Sequence, residues 1–167
     1  KEPGKNKVVL VGRVSFKTPI DIEARREALG KADGAMIKIG YKGDKNIYGF
    51  NESGSQTWEL EEPFYSTMKL EKDETVSINS VSCILFGNPY ASFTLPMGVK
   101  IAIPEGAKYV YVGDFEYDLD YALRVVGFKH IDEYDAARKQ INRAVGKEVE
   151  LVRGELTFLT EEDLQKK

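Results

Sequence analysis

The sequence contains very little of the two side chains that most often carry covalent or metal chemistry. It has one cysteine, Cys83, and one histidine, His130. A single cysteine cannot form an intramolecular disulfide, and one histidine with one cysteine cannot supply the ligands of a usual zinc site. Any serine–histidine or cysteine–histidine mechanism would have to use His130. We interpret Cys83, which lies in an apolar run, as a small buried hydrophobic residue, and His130 as a polar residue ahead of a helix.

Short motifs that bind nucleotide phosphates or activate a serine are also missing. The chain has no G-x-x-x-x-G-K-[ST] loop and no G-x-G-x-x-G turn, whose backbone amides cradle phosphates. It has no G-x-S-x-G elbow to present a nucleophilic serine. Paired carboxylates could still support acid–base chemistry, but a sequence alone does not pair them. We predict no catalytic residue and a protein that is not an enzyme.

Two further absences concern charge and hydrophobic length. Lys and Arg number 24 against 27 Asp and Glu, and no basic block stands out. A nucleic-acid surface needs a positive stripe to neutralise phosphates, so nucleic acid is not an expected partner. No apolar run approaches the roughly 20 residues that span a bilayer. The remaining composition, 42% hydrophobic and 31% charged over 167 residues, is typical of one globular domain.

The most informative stretch covers residues 108–121, where two kinds of side chain alternate. On one parity the residues are aromatic or apolar, with Gly113 as the only gap: Tyr109, Tyr111, Phe115, Tyr117, Leu119 and Tyr121. The other parity begins with Val110 and Val112 and then becomes acidic: Asp114, Glu116, Asp118 and Asp120. Successive side chains of a strand point to opposite faces. The pattern predicts a strand with its rings buried between layers and its carboxylates turned to solvent.

Turn residues at short intervals separate about eight to eleven candidate strands, and one helix is predicted late in the chain over residues 132–145. Asp132 is the candidate N-cap and Gly146 the stop. Residues 19–34 form an insertion that is either a short helix or an irregular loop. The pattern is typical of a mainly β protein, a β-sandwich with one helix near the C-terminus, with a β-barrel as the alternative. We predict a flexible tether at 1–6, one domain at 7–160 and a tail at 161–167.

The acidic parity is also a candidate metal site. Carboxylates about 7 Å apart along one strand face repel each other, and a hard cation such as calcium would reduce that repulsion by binding to them. Asp114, Glu116, Asp118 and Asp120 are therefore candidate calcium ligands, although the turn glycine of an EF-hand is missing. In the alternative interpretation, these acids form a solvated strand face that meets cross-strand Lys and Arg.

Aromatic side chains near predicted turns are candidate contacts for a ligand. Trp58 follows the polar loop 51–56, and Tyr90 lies in the turn-forming stretch 87–91. Exposed aromatics at such places stack on sugars or anchor a protein partner. We predict Trp58 and Tyr90 as binding residues, although most aromatics of a sandwich belong to its core.

One segment resembles a family. Residues 92–117, from S-F-T-L-P to F-E-Y, resemble the "f-x-v-x-p-G-k-x-x-Y-x-G-x-f/l" stretch of poorly characterised bacterial cell-envelope lipoproteins. Five residues stand in the matching places: Pro104, Gly106, Tyr111, Gly113 and Phe115. The helix that follows is also similar, so the likeness covers about residues 92–146. The resemblance implies an immunoglobulin- or transthyretin-like sandwich, tethered to a membrane by a lipidated cysteine ahead of Lys1, with no cofactor and no catalytic residue.

These observations favour a non-catalytic, envelope-associated binding or structural domain that is exported to the periplasm or cell surface. The expected partner is a protein or a glycan, and a lipid anchor would be the only link to a membrane. Two alternatives from other classes stay open. One is a glycan hydrolase that uses paired carboxylates, and the other is a calcium-stabilised adhesion module.

Overall fold

The computed structural model of the chain describes residues 3–19, 36–40, 57–59, 63–84, 92–122 and 124–158. These residues form ten strands and one helix. In chain order they are β1 (Lys7–Lys17), β2 (Met36–Gly40), β3 (Thr57–Glu59), β4 (Pro63–Lys69), β5 (Thr75–Ile84), β6 (Ser92–Ala102), β7 (Tyr109–Leu119), β8 (Val125–Ile131), α1 (Tyr134–Val145), β9 (Leu151–Arg153) and β10 (Glu155–Phe158).

The strands form two sheets. Sheet I has the order β4-β1-β7-β8, and β9 also pairs with β7. Sheet II has the order β10-β6-β5-β2-β3. No described strand pairs with both sheets, so the architecture is a two-layer sandwich with one helix. The predicted fold class, a mainly β sandwich, is confirmed.

The main core lies between the two sheets. Sheet I contributes alternate residues of β1 and β7, and sheet II contributes alternate residues of β5 and β6, as the period of a strand requires. The largest fully buried members are Phe115, Leu10, Met68, Ile78, Leu95 and Ile101. Burying each such side chain stabilises the fold by about 1.5–3 kcal/mol.

β7 occupies the centre of sheet I. It pairs in parallel with β1 on one side, and two strands share its other side. Residues 109–111 pair in parallel with β9, and residues 114–119 pair antiparallel with β8. The chain between β8 and β9 forms α1, which returns it to the same edge of β7.

α1 packs on the outer face of sheet I and forms a second, smaller core. Its buried residues Ala137 and Ile141 belong to one cluster with the outward side chains of sheet I: Val9, Val11, Tyr109, Tyr111 and Leu151. The predicted helix is confirmed, with its first residue at Tyr134, but its N-cap is Glu133 and not the predicted Asp132. Asp132 Oδ1 accepts a hydrogen bond of 3.0 Å from the Tyr134 amide. Gly146 ends the helix in the left-handed conformation, at φ 82°, as predicted.

A β-bulge in the middle of β7 reverses which residues face the core. Val11 pairs with Tyr111 and Gly12 with Gly113, so Val112 is an extra residue, and Gly113 has φ 100°. Before the bulge, Tyr111 points to α1. After it, Phe115 points between the sheets. The prediction that all rings share one face is therefore wrong, because the bulge shifts the alternation by one residue.

His130 occupies the space that Gly113 leaves open. A Cβ atom at Gly113 would lie 2.0 Å from His130 Nε2, so no other residue fits there without movement. Nε2 lies 2.9 Å from the carbonyl oxygen of Val112 and donates to it, since a carbonyl only accepts. His130, near the end of β8, thus fills the bulge of β7. This contact is a specific form of the polar structural role that was predicted for it.

Several predictions fall outside the described residues. These are the insertion at 19–34, most of which is not described, the polar loop 51–56, Tyr90, and the tail at 161–167. Cys83 lies in β5, but its side chain is not described. In the predicted tether, residues 3–6 form a turn in which the Lys7 amide donates to Gly4 O at 3.1 Å. No helix in the described parts of the chain is long and apolar enough to cross a membrane.

We expect Gly113→Ala to lower the free energy of unfolding by about 3 kcal/mol or more, because it combines an unfavourable φ with a collision against His130. Gly106→Ala is the matched control. Gly106 has φ 76°, but a methyl group added there would meet nothing within 4 Å, so this variant should lose only about 1–2 kcal/mol. Urea unfolding measures both.

The collision itself can be tested in a His130→Ala background. There, Gly113→Ala should cost less than in the parent protein, since the imidazole is gone and only the φ strain is left. An equal loss in both backgrounds would contradict the proposed fit of His130 into the bulge.

Candidate functional site

The four predicted calcium ligands do not form one group. Asp114, Glu116 and Asp118 lie on the outer face of β7, while Asp120 lies beyond the end of the strand. The Asp120 carboxylate accepts hydrogen bonds from the Ala122 and Arg124 amides, each at 2.9 Å, and pairs with Arg124 Nε at 2.8 Å. The Arg124 amide, followed by its guanidinium, holds the pKa of Asp120 below its usual range. Asp120 therefore closes the β7–β8 turn.

Asp114 is buried, contrary to the prediction that this face is turned to solvent. Only 8% of the residue is exposed. Tyr111 donates its hydroxyl hydrogen to Asp114 Oδ1 at 3.0 Å, and the Glu133 amide donates to the Tyr111 hydroxyl oxygen at 2.7 Å. Burial raises the pKa of Asp114 even though the Tyr111 hydrogen bond and the nearby Arg13 favour the charged form. This chain of bonds ties β7 to the start of α1.

The start of α1 is also fixed from β9. Arg153 Nε donates to Asp132 Oδ2 at 2.9 Å, and its guanidinium carbon lies 4.3 Å from the centre of the Tyr134 ring. The Tyr134 ring packs edge-on against Tyr111, with the centroids 5.9 Å apart. A cation over an aromatic face and an edge-to-face ring pair are both favourable arrangements. The helix is therefore held rigidly beside Asp114.

The acids of β7 stand opposite bases on both neighbouring strands. Arg13 and Lys17 of β1 are the register partners of Asp114 and Asp118, and Lys129 of β8 is the partner of Glu116. Charges therefore alternate in sign from strand to strand, as in the alternative interpretation of this face. Among the described residues, no three or more His, Cys, Asp or Glu side chains form a group that could hold a metal ion. Calcium binding by these acids stays a prediction.

A polar recess lies on the outer face of sheet I, beside the first turn of α1 and over the parts of β1 and β7 that follow the bulge. Its volume is about 310 Å³. Its charged lining consists of Arg13, Lys17, Asp114, Glu116 and Glu133. Asp114 and Glu116 lie two residues apart on one strand face, so their Cα atoms are about 7 Å apart. The recess thus holds three carboxylates and two cations around one open volume.

A second feature lies at the opposite side of β7, where β8 faces β10 of sheet II. Here Phe128, His130 and Phe158 form what we call the edge aromatic cluster. The Phe128 and Phe158 ring centroids are 5.8 Å apart, and those of His130 and Phe158 are 5.7 Å apart. Beneath them, the ring centroid of Tyr117 lies 5.1 Å from that of Phe128. The cluster is therefore continuous with the main core.

The edge aromatic cluster is only half covered. Phe128 is 43% exposed and Phe158 is 44% exposed. β8 and β10 are the outermost described strands on this side of their sheets, so side chains that point inward there have a neighbour on one side only. Phe128 shares its hairpin with two other exposed apolar residues, Tyr121 and Val126. A monomeric protein rarely leaves such a concentration of apolar surface without a use.

The edge aromatic cluster was not predicted from the sequence. The pattern of residues 122–129 indicates only that the hairpin continues, and Phe158 stands at the end of a late strand. The sequence feature that could have indicated it is that β8 has apolar residues at both alternating positions. A strand with one face in water usually alternates apolar and polar residues. Of the two predicted binding residues, Trp58 lies in β3 but its side chain is not described, and Tyr90 lies outside the described residues.

Asp114 provides a test of the electrostatics of the recess. Because its pKa is raised in the folded state, its contribution to stability is complete below the ordinary pKa and is lost as pH rises through the raised one. We therefore expect Asp114→Asn to gain stability relative to the parent between about pH 3 and pH 7. Urea unfolding at several pH values measures the difference.

Asp118→Asn is the control, since Asp118 lies on the same face of β7 but is exposed. Measured at the same pH values, it accounts for the loss of one negative charge from this face. The free energy of unfolding of Asp114→Asn minus that of the parent should increase as pH rises. If this difference is constant or decreases, burial does not penalise the charged form of Asp114.

Comparisons of the chain with protein-family models, with curated proteins and with solved structures find no match. The function is therefore inferred from the polar recess and from the edge aromatic cluster, each of which joins residues of different elements.

Proposed function

We propose that this chain is a non-catalytic binding domain that docks a partner protein on the edge aromatic cluster. The observation that carries the proposal is the half-exposed pair Phe128 and Phe158, whose rings touch across the open side of the sandwich. Partly exposed rings that rest on a rigid core lose little conformational entropy when a partner covers them. Such aromatic anchors supply much of the binding energy of protein interfaces.

The kind of ring favours a protein over a glycan. Phenylalanine has no polar tip, whereas a sugar presents hydroxyl groups that must keep hydrogen bonds when they are buried. Among the described residues, the cluster has one polar member, His130, and its Nε2 is already bonded to Val112. An apolar side chain of a protein partner therefore suits the surface better than a glycan.

Export and lipid anchoring belong to the same proposal and are supported by the resemblance alone. Its motif residues have structural roles here: Ala107 donates its amide to Pro104 O at 3.0 Å in a turn that includes Gly106, and Gly113 forms the bulge. The gene sequence ahead of Lys1 tests the location. A signal peptide followed by a cysteine would support it, and a start without a signal peptide would reject it.

A glycan hydrolase is the second candidate function, and the polar recess favours it. Asp114 and Glu116 both line the recess, and inverting glycosidases use two carboxyl groups that flank one open volume. Burial raises the pKa of Asp114, as a general acid requires. Against this, Tyr111 already donates to Asp114, and Arg13 Nε lies 4.0 Å from it. We therefore rank this function below binding.

The hydrolase candidate is tested by reducing-end release from a panel of soluble oligosaccharides. Activity of the parent that is lost in both Asp114→Asn and Glu116→Gln would support it. The absence of release, or release that is unchanged in both variants, would reject it. Circular dichroism establishes that each variant is folded.

The binding proposal is tested by selecting a phage-displayed random peptide library on the parent protein. We expect clones whose binding is lost in the Phe128→Ser/Phe158→Ser variant. Tyr65→Ser is the matched control, because Tyr65 is 48% exposed, a fraction close to those of Phe128 and Phe158, but lies on β4 at the other edge of sheet I. Clones that bind all three proteins equally, or the failure to select any clone, would contradict the proposal.

A further inference from the structure

We infer that the partner contributes an extended segment of alternating apolar and acidic residues, which adds as a strand alongside β8. The inference rests on the proposed function and specifies its ligand. β8 has three features that together fit such a segment: an open backbone edge, an aromatic inner face and one outward lysine, Lys129.

The first observation is the edge of the sheet. Within the described residues, β8 pairs with β7 and with no other strand, so its second row of amide and carbonyl groups faces outward. An extended peptide can bind such an edge through main-chain hydrogen bonds, which supply affinity without regard to sequence. β8 has seven residues, which is long enough for several of these bonds.

The second observation determines one face of the added strand. Phe128 and His130 are the register partners of Tyr117 and Phe115, and all four point toward the interior of the sandwich. Residues of a new strand that stand beside Phe128 and His130 would cover the exposed part of the edge aromatic cluster. Because side chains alternate along a strand, every second residue of the segment should be apolar.

The charges on the outer side of sheet I determine which residues suit the outward face of the added strand. On the outside of sheet I, Arg13 and Lys17 of β1 stand opposite the acids of β7, and Glu116 of β7 stands opposite Lys129 of β8. Lys129 is exposed and has no ion pair with any described carboxylate. A strand next to β8 would place a side chain directly opposite it. An acid there continues the alternation, while a base would repel Lys129.

The test uses fluorescein-labelled synthetic peptides of about ten residues, the length that a strand-binding edge accommodates. Their repeats are Val-Glu, Val-Lys, Val-Ser and Ser-Glu, and binding is followed by fluorescence anisotropy. We expect the Val-Glu peptide to bind most tightly, about tenfold better than Val-Lys at low salt. High salt should reduce that ratio. Hydrogen exchange should show slower exchange of β8 amides on binding.

Two variants separate the faces. Lys129→Glu, an exposed substitution that leaves the core intact, should reverse the order of Val-Glu and Val-Lys. Phe158→Ala should weaken both peptides and leave their ratio unchanged. Lys139→Glu is the control for net charge, since Lys139 is an exposed residue of α1. It should change neither the order nor the affinity appreciably.

Other outcomes would overturn the inference in distinguishable ways. If Val-Lys or Val-Ser binds as well as Val-Glu and still requires Phe158, the acidic pattern is wrong but docking on the cluster stands. If the phage clones require the cluster and no alternating peptide protects β8 amides, the partner does not add as a strand. If neither peptides nor phage clones require the cluster, the proposed function itself fails.

Discussion

The contact between the imidazole of His130 and the bulge at Gly113 determines the arrangement of sheet I. It marks the point where β9 stops pairing with β7 and β8 begins. It also shifts the alternation of β7, so that Tyr111 faces the helix and Phe115 faces the second sheet. The two cores, the buried Asp114 and the edge aromatic cluster all follow from this one irregularity of the backbone.

Much of the fold could be predicted because it depends on local patterns. Short strands with turn residues between them indicated a sandwich, and the amphipathic stretch ending at Gly146 indicated one helix. The composition of β7 identified it as a buried strand. These signals depend only on residues near one another in the chain, which is where periodicity and turn chemistry act.

The faces of β7 could not be predicted, because a bulge depends on contacts between distant residues. Gly113 occupied a place in the aromatic parity and could equally have been a simple gap. Only His130, seventeen positions further along the chain, shows why a glycine stands there. For the same reason, the acids looked like one solvent-facing row, although Asp114 is buried beside Tyr111 and Asp120 closes a turn.

The parallel pairing of β1 with β7 has a consequence for how the chain folds. Val9 and Tyr109 are neighbours in the sheet although a hundred residues separate them. β1 can join β4 early in folding, but its other edge has to wait until the chain brings β7 beside it. Such long-range closure slows folding and leaves an apolar strand open to wrong pairing in the meantime. Conditions that lengthen the interval before β1 and β7 meet therefore favour aggregation over folding.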